Sequence, residues 1–305
     1  MEQAIQVQNL SFSYSTRKVL HDTSFTIPKH GITSLIGPNG SGKSTILKIL
    51  LGLYTQQAGT VIISPNPKTE RNSIAYSPEV YALFKDSTVL EYLMLAGQLR
   101  GMKITESKNA SKDFLHKIGL GKIKHTPVYS LSKGNSQKIQ LVACLISQPK
   151  LAILDEPWSG LDPENQEKTT QLLVEASNAG ATVLLTGHHM GMIERASKHI
   201  IAIQDGRVIA SGTPEELLRK ILPDKNLTLT YSTGTCRPQQ FKDIPVVWDQ
   251  QGLNAKLIIR TGMDIGIIIS EARKYGNIVD INTSVGTLHD AYMSMYGDKT
   301  KYEDA

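Results

Sequence analysis

The sequence predicts an α/β fold, and three observations support this prediction. Short β-rich segments come first, and helical patterns then alternate with strands along the 305 residues. The segments LAIL (residues 151–154) and ATVLLT (residues 181–186) are apolar in the way that is typical of strands buried on both faces of a sheet. A glycine-rich loop at residues 37–45 lies between an apolar strand and a helical pattern. Apolar residues make up 40% of the chain, which predicts a globular protein with a core.

The individual elements follow from local patterns. Strands are expected in IQVQ, FSYS, SFTI and GITSLIG, near the start of the chain. Thr88 and Glu91 fit a capping box at the start of the helix TVLEYLMLAGQLRG. Ser132, in LSKGNSQK, can cap a later helix, because its hydroxyl can accept a hydrogen bond from an amide of the first turn. HIIAIQDGRVIA is expected to be a hairpin that turns at Asp205 and Gly206.

The last third of the chain has a different composition. The segment TPEELL predicts a helix beginning at Pro214, and Pro223 closes this region. Beyond it, LTLTYS, AKLIIR and NIVDINTS have strand patterns, and GIIISEARKYG and LHDAYMSMYG have helical ones. We therefore expect a main domain over residues 1–222 and a small C-terminal accessory α/β domain over residues 223–305. The terminal segment DKTKYEDA is expected to be frayed.

Composition excludes several classes of protein. The two cysteines, Cys144 and Cys236, are far apart and do not suggest a disulfide framework, and Cys144 is expected to be a buried thiol. The first residues lack the pattern of a secretory signal, and no run of about 18 apolar residues occurs, so a cytosolic location is expected. The net charge of +5 is spread along the chain and therefore favours neither nucleic acid nor a membrane surface as a partner.

The segment GPNGSGKST carries the strongest signal, because it fits the phosphate-loop pattern G-x-x-x-x-G-K-[ST] in the required strand and helix context. Glycines let backbone amides surround phosphates without a clashing Cβ, and the helix N-terminus adds positive potential. The lysine brings a charge to the β- and γ-phosphates, and the serine hydroxyl can bind Mg²⁺. The residues expected to bind the nucleotide here are Gly37, Pro38, Asn39, Gly40, Ser41, Gly42, Lys43, Ser44 and Thr45.

An acidic pair follows the strand LAIL. Asp155 is expected to hold the metal ion through water, and Glu156 is placed where a general base could polarise the water that attacks the γ-phosphate. An acidic pair at a strand end could also make only solvent contacts, but the phosphate loop favours the catalytic interpretation.

Several motifs in this order, from Tyr14 to about Gly212, resemble those of the ATP-binding subunits of ABC transporters. LSKGNSQK resembles the family's signature, SGLDP its D-loop and TGHHM its switch-histidine segment. The resemblance implies a P-loop NTPase fold of the ABC type, with a mixed β-sheet, a helical insert at about residues 77–148 and a small C-terminal α/β extension. It also implies that Tyr14 stacks on adenine and that His188 senses the γ-phosphate.

In this family two ATPase domains pack head to tail around two ATP molecules. The resemblance implies that Ser132 and the backbone near Gly134 contact the γ-phosphate of the ATP held by the partner's phosphate loop. An anion at a helix N-terminus is physically favourable, so Ser132 can serve as cap and as ligand.

The sequence departs from the family pattern at two places, where Lys133 and Glu79 resemble the type-two exporter branch in bacteria. Lys133 and Asn135 stand where the signature usually has Gly and Gln, and Glu79 replaces the usual Gln in AYSPEVYALF. Glu79 can still order Mg²⁺ or water. The C-terminal segment GNIVDINTSVGTLHDAYMSMYG is also similar to the terminal unit of this branch.

We therefore expect an ATPase subunit at the cytoplasmic face of the membrane. It would power export through a separate transmembrane subunit, which the helical insert would contact, and it would pair with a second ATP-binding subunit, identical or different. The alternatives are a soluble ABC ATPase acting on ribosomes or DNA, and a GTPase. The chain has one phosphate loop, no heptad run and no Asn-Lys-x-Asp motif, which argues against these alternatives. The transported substrate is set by the membrane chain.

Overall fold

The computed structural model describes residues 2–66, 69–79, 86–222, 224–232, 237–249, 251–260 and 263–297. The chain divides into two compact units, Met1–Pro214 and Glu215–Ala305. This division falls at the start of the helix Pro214–Ile221, eight residues before the boundary expected at residue 222. The expectations for Pro223, Cys236 and the segment DKTKYEDA concern residues outside the described ones.

A six-stranded mixed sheet is the centre of the first unit. Its strands, in spatial order, are β5 (Ile74–Ser77), β6 (Leu151–Leu154), β7 (Thr182–Thr186), β3 (Ile32–Ile36), β8 (His199–Gln204) and β9 (Arg207–Gly212). The first five are parallel, and β9 is antiparallel to β8. All residues of β6 and β7 are buried, as their apolar sequences predict. The carboxyl ends of the parallel strands meet at one edge, where ligands bind in open α/β sheets.

A second sheet in this unit is antiparallel and has the order β2 (Arg17–Pro28), β1 (Gln3–Tyr14) and β4 (Ala58–Ile63). The segments IQVQ and FSYS, in which strands are expected, lie in a single strand, β1, except for Ser15 just beyond its end. Register shifts beside Leu10, and a positive φ of 51° at Asn9, let the strand bend while its pairing with β2 continues. Apolar side chains of both sheets pack together in one core, as Ile5, Leu20 and Ile203 illustrate.

The helices of the first unit are α1 (Lys43–Leu50), α2 (Val89–Gln98), α3 (Ile104–Lys117), α4 (Lys133–Leu145), α5 (Pro163–Asn178) and α6 (Met190–Ala196). The capping box of α2 is confirmed: the Thr88 side chain accepts from the Glu91 amide, and the Glu91 carboxylate accepts from the Thr88 amide. The hairpin β8–β9 turns at Asp205 and Gly206, both with positive φ, as predicted. Helices α2, α3 and α4 lie between β5 and β6 in the chain and therefore form an insert in the sheet.

The second unit contains α7 (Pro214–Ile221), β10 (Lys225–Tyr231), β11 (Gln240–Phe241), β12 (Ile244–Pro245), β13 (Val247–Trp248), β14 (Asn254–Ile259), α8 (Ile265–Ala272), β15 (Ile278–Val285) and α9 (Leu288–Tyr296). Its four-stranded sheet has the order β13–β14–β10–β15, with antiparallel neighbours throughout. A core of its own includes Leu229, Phe241 and Ile268. The strands and helices predicted from the tail sequence are all present. Among the described residues of both units, no helix has the length and apolar character that crossing a bilayer requires.

Candidate functional site

The loop between β3 and α1 has the conformation that its glycines allow. Gly42, immediately before α1, has a φ of 106°, which favours glycine. A Cβ on Gly37 would lie 2.2 Å from the backbone oxygen of Ile203, so no side chain fits at that position. Lys43 Nζ donates to the carbonyl oxygens of Gly37, at 2.7 Å, and Pro38, at 3.0 Å. The lysine is thereby held inside the loop, with its charge available to an anion.

A cavity of about 510 Å³ opens beside this loop. The described residues that line it are Tyr14, Arg17, Val19, Asn39, Gly40, Gly42, Lys43, Ser44, Thr45, Glu79, Asp155, Glu156 and His188. Residues from five separate parts of the sequence therefore meet at one place. The predicted residues Gly37 and Pro38 contact this set through Lys43, and Ser41 belongs to the same loop.

The acidic pair lies directly after β6, at the carboxyl edge of the sheet. The Asp155 amide donates to the Ser77 carbonyl oxygen at 2.9 Å, which continues the pairing of β6 with β5. Thr186, the last residue of β7, donates through Oγ1 to Asp155 Oδ1 at 2.5 Å. Thr186 was not predicted as a site residue, because a threonine at the end of a strand is ordinary in sequence. Asp155 is thereby oriented at the edge of the cavity.

Glu156 has an unusual backbone and a buried carboxylate. Its φ is 51°, a left-handed conformation that costs energy for a residue with a Cβ. Its Oε2 lies 2.8 Å from Nδ1 of His188, whose side chain is 62% exposed. Burial raises the pKa of the Glu156 carboxyl, while the charges of His188 and Lys43 oppose this shift. A carboxylate with a raised pKa that faces a phosphate loop is suited to accept a proton from water.

The charges inside the cavity compensate one another. Burial lowers the pKa of the Lys43 ammonium, and the carboxylates of Glu156, Asp155 and Glu79 oppose this shift. The cavity therefore combines a cation for phosphate with carboxylates for a metal ion. Hydroxyl and carboxylate oxygens are the ligands that Mg²⁺ prefers, and Ser44, Asp155 and Glu79 offer such oxygens around one space.

An aromatic residue, Tyr14, also lines the cavity. Tyr14 is 40% exposed, and its hydroxyl lies 3.2 Å from Thr45 Oγ1. Its ring is fixed edge-on against Phe12 and Tyr54, at centroid distances of 5.0 and 5.6 Å. A rigid, partly exposed ring beside a phosphate loop can stack on a nucleobase. Arg17 also lines the cavity, and the sequence analysis missed it, because a charged residue in a hairpin carries no distinctive local signal.

The segment LSKGNSQK lies elsewhere in the first unit. Ser132 caps α4: its hydroxyl accepts from the Asn135 amide at 3.3 Å, as predicted. A Cβ built on Gly134 would contact Leu161, and a Cβ on Gly160 would lie 2.6 Å from Cε of Lys133. The signature therefore packs on the SGLDP loop. Ser132 and Gly134 are absent from the described residues that line the cavity, so the structure does not bring them to the phosphate loop of the same chain.

The chain is similar to known proteins over much of its length. A family model described as "ABC transporter" matches residues 20–159. The lantibiotic transport ATP-binding protein SrtF of Streptococcus pyogenes is 33% identical over 67% of this chain and 89% of its own length. The uncharacterized ABC transporter ATP-binding protein YhaQ of Bacillus subtilis is 27% identical over 96% of this chain and 98% of its own length.

A solved structure of the ATP-binding subunit of an ABC transporter superposes with a TM-score of 0.66 and 32% identity, covering 71% of this chain and 92% of that one. It confirms the predicted P-loop fold with a mixed sheet. None of these matches supports the ribosome or DNA alternative. The chain belongs to the ATP-binding, ATP-hydrolysing subunits of ABC transporters.

Proposed function

We propose that this chain is the ATPase subunit of a type-two bacterial exporter, bound to the cytoplasmic face of the membrane through a separate transmembrane subunit. The observation that carries the catalytic part of this proposal is the single cavity in which the phosphate loop, the acidic pair and His188 meet. The proposal adds three points to family membership: the membrane partner, the direction of transport and the roles of individual residues.

Each side chain has a distinct role in the proposed reaction. Tyr14 stacks on adenine, the loop amides of residues 37–45 bind the phosphates, and Lys43 neutralises the β- and γ-phosphates. Glu156 accepts a proton from the attacking water. His188, which is 2.8 Å from Glu156, keeps that carboxylate oriented and donates to the γ-phosphate.

Mg²⁺ would be held by Ser44 and, directly or through water, by Asp155 and Glu79. When bound, the ion neutralises charge on the phosphates. The oxygen donors of these three residues fit it, and the hydrogen bond from Thr186 keeps Asp155 oriented toward the cavity edge.

A second ATP-binding subunit completes each site. Ser132 and Gly134 lie at the N-terminus of α4, away from the cavity of their own chain, so they are free to contact the ATP of a partner chain. Closure of the two subunits around ATP, and reopening after hydrolysis, would drive alternating access in the membrane subunit.

The exporter assignment rests on sequence features and on one relative. Lys133 and Glu79 depart from the usual family residues in the way the type-two branch does. SrtF is named a lantibiotic transport ATP-binding protein. The substrate of the present chain is not assigned.

A groove in the helical insert is the surface we propose for the membrane subunit. It has a volume of about 380 Å³ and lies between the end of β5, helix α2 and helix α4. Apolar side chains dominate its lining, and Leu99 at its edge is 68% exposed. An apolar groove beside Glu79 would transmit movement of a partner to the ATP cavity.

We also propose that residues 223–305 form an accessory domain without a part in ATP chemistry. The second unit has its own core, and the match to YhaQ extends over nearly the whole chain, so this unit has a counterpart in that relative. Regulation or assembly of the transporter is the role that remains for it.

Recovery of the partner from membranes tests the proposal. The tagged chain, solubilised from membranes of its native cell in mild detergent, should copurify with an integral membrane protein. Leu99→Asp should abolish this recovery without changing ATP binding. Leu53→Asp is the matched control, because Leu53 is 64% exposed and lies outside the groove. Equal recovery with both variants would contradict the docking groove, and recovery with ribosomes alone would contradict the exporter function.

A further inference from the structure

Gln137 connects the signature helix to the backbone of Glu156. It lies in α4, one turn beyond the capping residue Ser132, and is only 3% exposed. Its Nε2 is 3.4 Å from the carbonyl oxygen of Glu156 and 3.4 Å from that of Pro157. Two carbonyl acceptors on this side fix the orientation of the amide, because only its nitrogen can donate to them.

The peptide groups on both sides of Glu156 are therefore bound by side chains. The Glu156 amide donates to Thr186 Oγ1 at 3.1 Å, and its carbonyl oxygen accepts from the Ser159 amide at 3.0 Å and from Gln137 at 3.4 Å. Between them the residue has a φ of 51°, a conformation that persists only when its surroundings enforce it. These contacts hold the backbone on either side of the Cα and so contribute, with the ion pair to His188, to the position of the Glu156 carboxylate.

The two contacts of Gln137 Nε2 are long. Both distances of 3.4 Å exceed the usual range of about 2.7–3.2 Å for N–H···O hydrogen bonds. Its Oε1 is buried and has no hydrogen-bond partner among the described residues. A small shift of α4 that shortens the two Nε2 contacts would strengthen them.

Helix α4 also contacts the chain beyond Glu156. Lys138 Nζ donates to Asn165 Oδ1 at 3.0 Å, and the stem of Lys133 lies against Gly160. A movement at the N-terminus of α4 would therefore reach Glu156 and the SGLDP loop together, since both are in contact with the same helix.

We propose that Gln137 is a positioning residue, which couples occupation of the signature end of α4 to the orientation of the catalytic Glu156 in the same chain. The coupling rests on the proposed function, in which Ser132 contacts the ATP of the partner chain. Each subunit would thereby adjust its own general base when its signature binds the other ATP.

A double-mutant cycle of the full-length protein tests this proposal. Gln137→Leu removes the hydrogen bonds at similar volume, and we expect kcat for ATP hydrolysis to fall at least about 10-fold, because small misplacements of reacting groups are costly. KM for ATP should change less than about 3-fold. In a Glu156→Gln background the same substitution should lower kcat by less than about 2-fold, because the carboxylate that Gln137 positions is already lost.

Gln140→Leu is the matched control, since Gln140 is equally buried on the same helix but donates to Ser77 Oγ at 3.1 Å. Gln140→Leu should lower kcat by the same factor in the wild-type and the Glu156→Gln backgrounds, so that the two losses multiply. If Gln137→Leu does not fold, Gln137→Met, which keeps the side-chain length, is measured by the same criteria. A kcat within 2-fold of wild type, or an undiminished loss in the Glu156→Gln background, would overturn the proposal. Normal hydrolysis by Glu156→Gln alone would instead refute the general base on which it depends.

Discussion

Glu156→Gln separates catalysis from binding more cleanly than other changes in the cavity. The glutamine keeps the size of the side chain and retains an oxygen that can accept from His188 Nδ1, which lies 2.8 Å from the carboxylate. It cannot accept a proton from water. The expected loss is therefore confined to the chemical step, while the contacts of Lys43 and the loop amides with ATP remain.

The magnitude follows from the role of a general base. Such groups contribute about 10²–10⁴ in rate, so hydrolysis should slow by at least about 10², equivalent to about 2.7 kcal/mol of activation free energy. The assay measures phosphate release at saturating ATP, beside retention of labelled ATP on the purified protein. Slow release with undiminished retention is the expected result, and near-normal release would refute the assignment of Glu156.

The same variant should change stability in a pH-dependent way. Burial raises the folded-state pKa of Glu156 above its ordinary value of 4.5, so the folded state prefers the protonated carboxyl. Ionisation of the carboxyl therefore lowers the free energy of unfolding as the pH rises from about 4.5 through the raised pKa. Below about pH 4.5 this loss of stability does not occur.

Replacing Glu156 with glutamine should remove this cost at neutral pH. The gain, measured as a higher Tm, should be limited, because the charges of His188 and Lys43 oppose the effect of burial. Thermal unfolding is measured without nucleotide from pH 5 to pH 8. The Tm of Glu156→Gln should exceed that of wild type by an amount that grows with pH. If the Tm difference between Glu156→Gln and wild type shrinks with rising pH, the surroundings of Glu156 stabilise its ionised carboxylate, which would contradict this prediction.

Three further changes test other parts of the site. Tyr14→Ala should weaken ATP binding by about 0.5–1.5 kcal/mol, the usual contribution of an aromatic stack. ATP titration should show that Tyr14→Phe binds ATP nearly as well as wild type. Equal losses of affinity in the two variants would exclude stacking. A chain shortened to end at Leu222 should bind ATP with near-native affinity, and a folded product without binding would refute an accessory role for residues 223–305. Mixed dimers of Lys43→Ala and Ser132→Arg subunits should trap about one ATP per dimer, while each variant alone traps almost none; no gain on mixing would refute a trans role for Ser132.

Local sequence was sufficient for those features whose partners are close in the chain. The caps of α2 and α4 could be predicted because the hydroxyls of Thr88 and Ser132 reach amides three residues later. The cavity could be predicted in outline, because the phosphate loop and the acidic pair each follow a strand of one parallel sheet. The carboxyl ends of such strands meet at one edge, so motifs far apart in the chain come together there.

Contacts between distant segments carried no such signal. Thr186 and Gln137 form hydrogen bonds with the backbone around Glu156. A threonine at a strand end and a glutamine in a helix are nevertheless ordinary in sequence. Their importance comes from the left-handed φ of Glu156, which no local pattern revealed in advance. The length of β1 was missed for a related reason, since its bulges interrupt the alternation of apolar residues on which strand prediction depends.

The two interpretations of Ser132 are compatible in physical terms. As a cap, its hydroxyl satisfies the Asn135 amide at 3.3 Å, which uses one of the four amides that a helix N-terminus leaves without a helical partner. A phosphate from a partner chain would bind to others, and it would be favoured by the same helix dipole. The cap orders the first turn before any ligand arrives, so the amides would already be aligned for a phosphate of the proposed partner subunit. A signature that begins with a capping serine is therefore suited to both tasks, because the fold that stabilises the helix end also prepares the anion site.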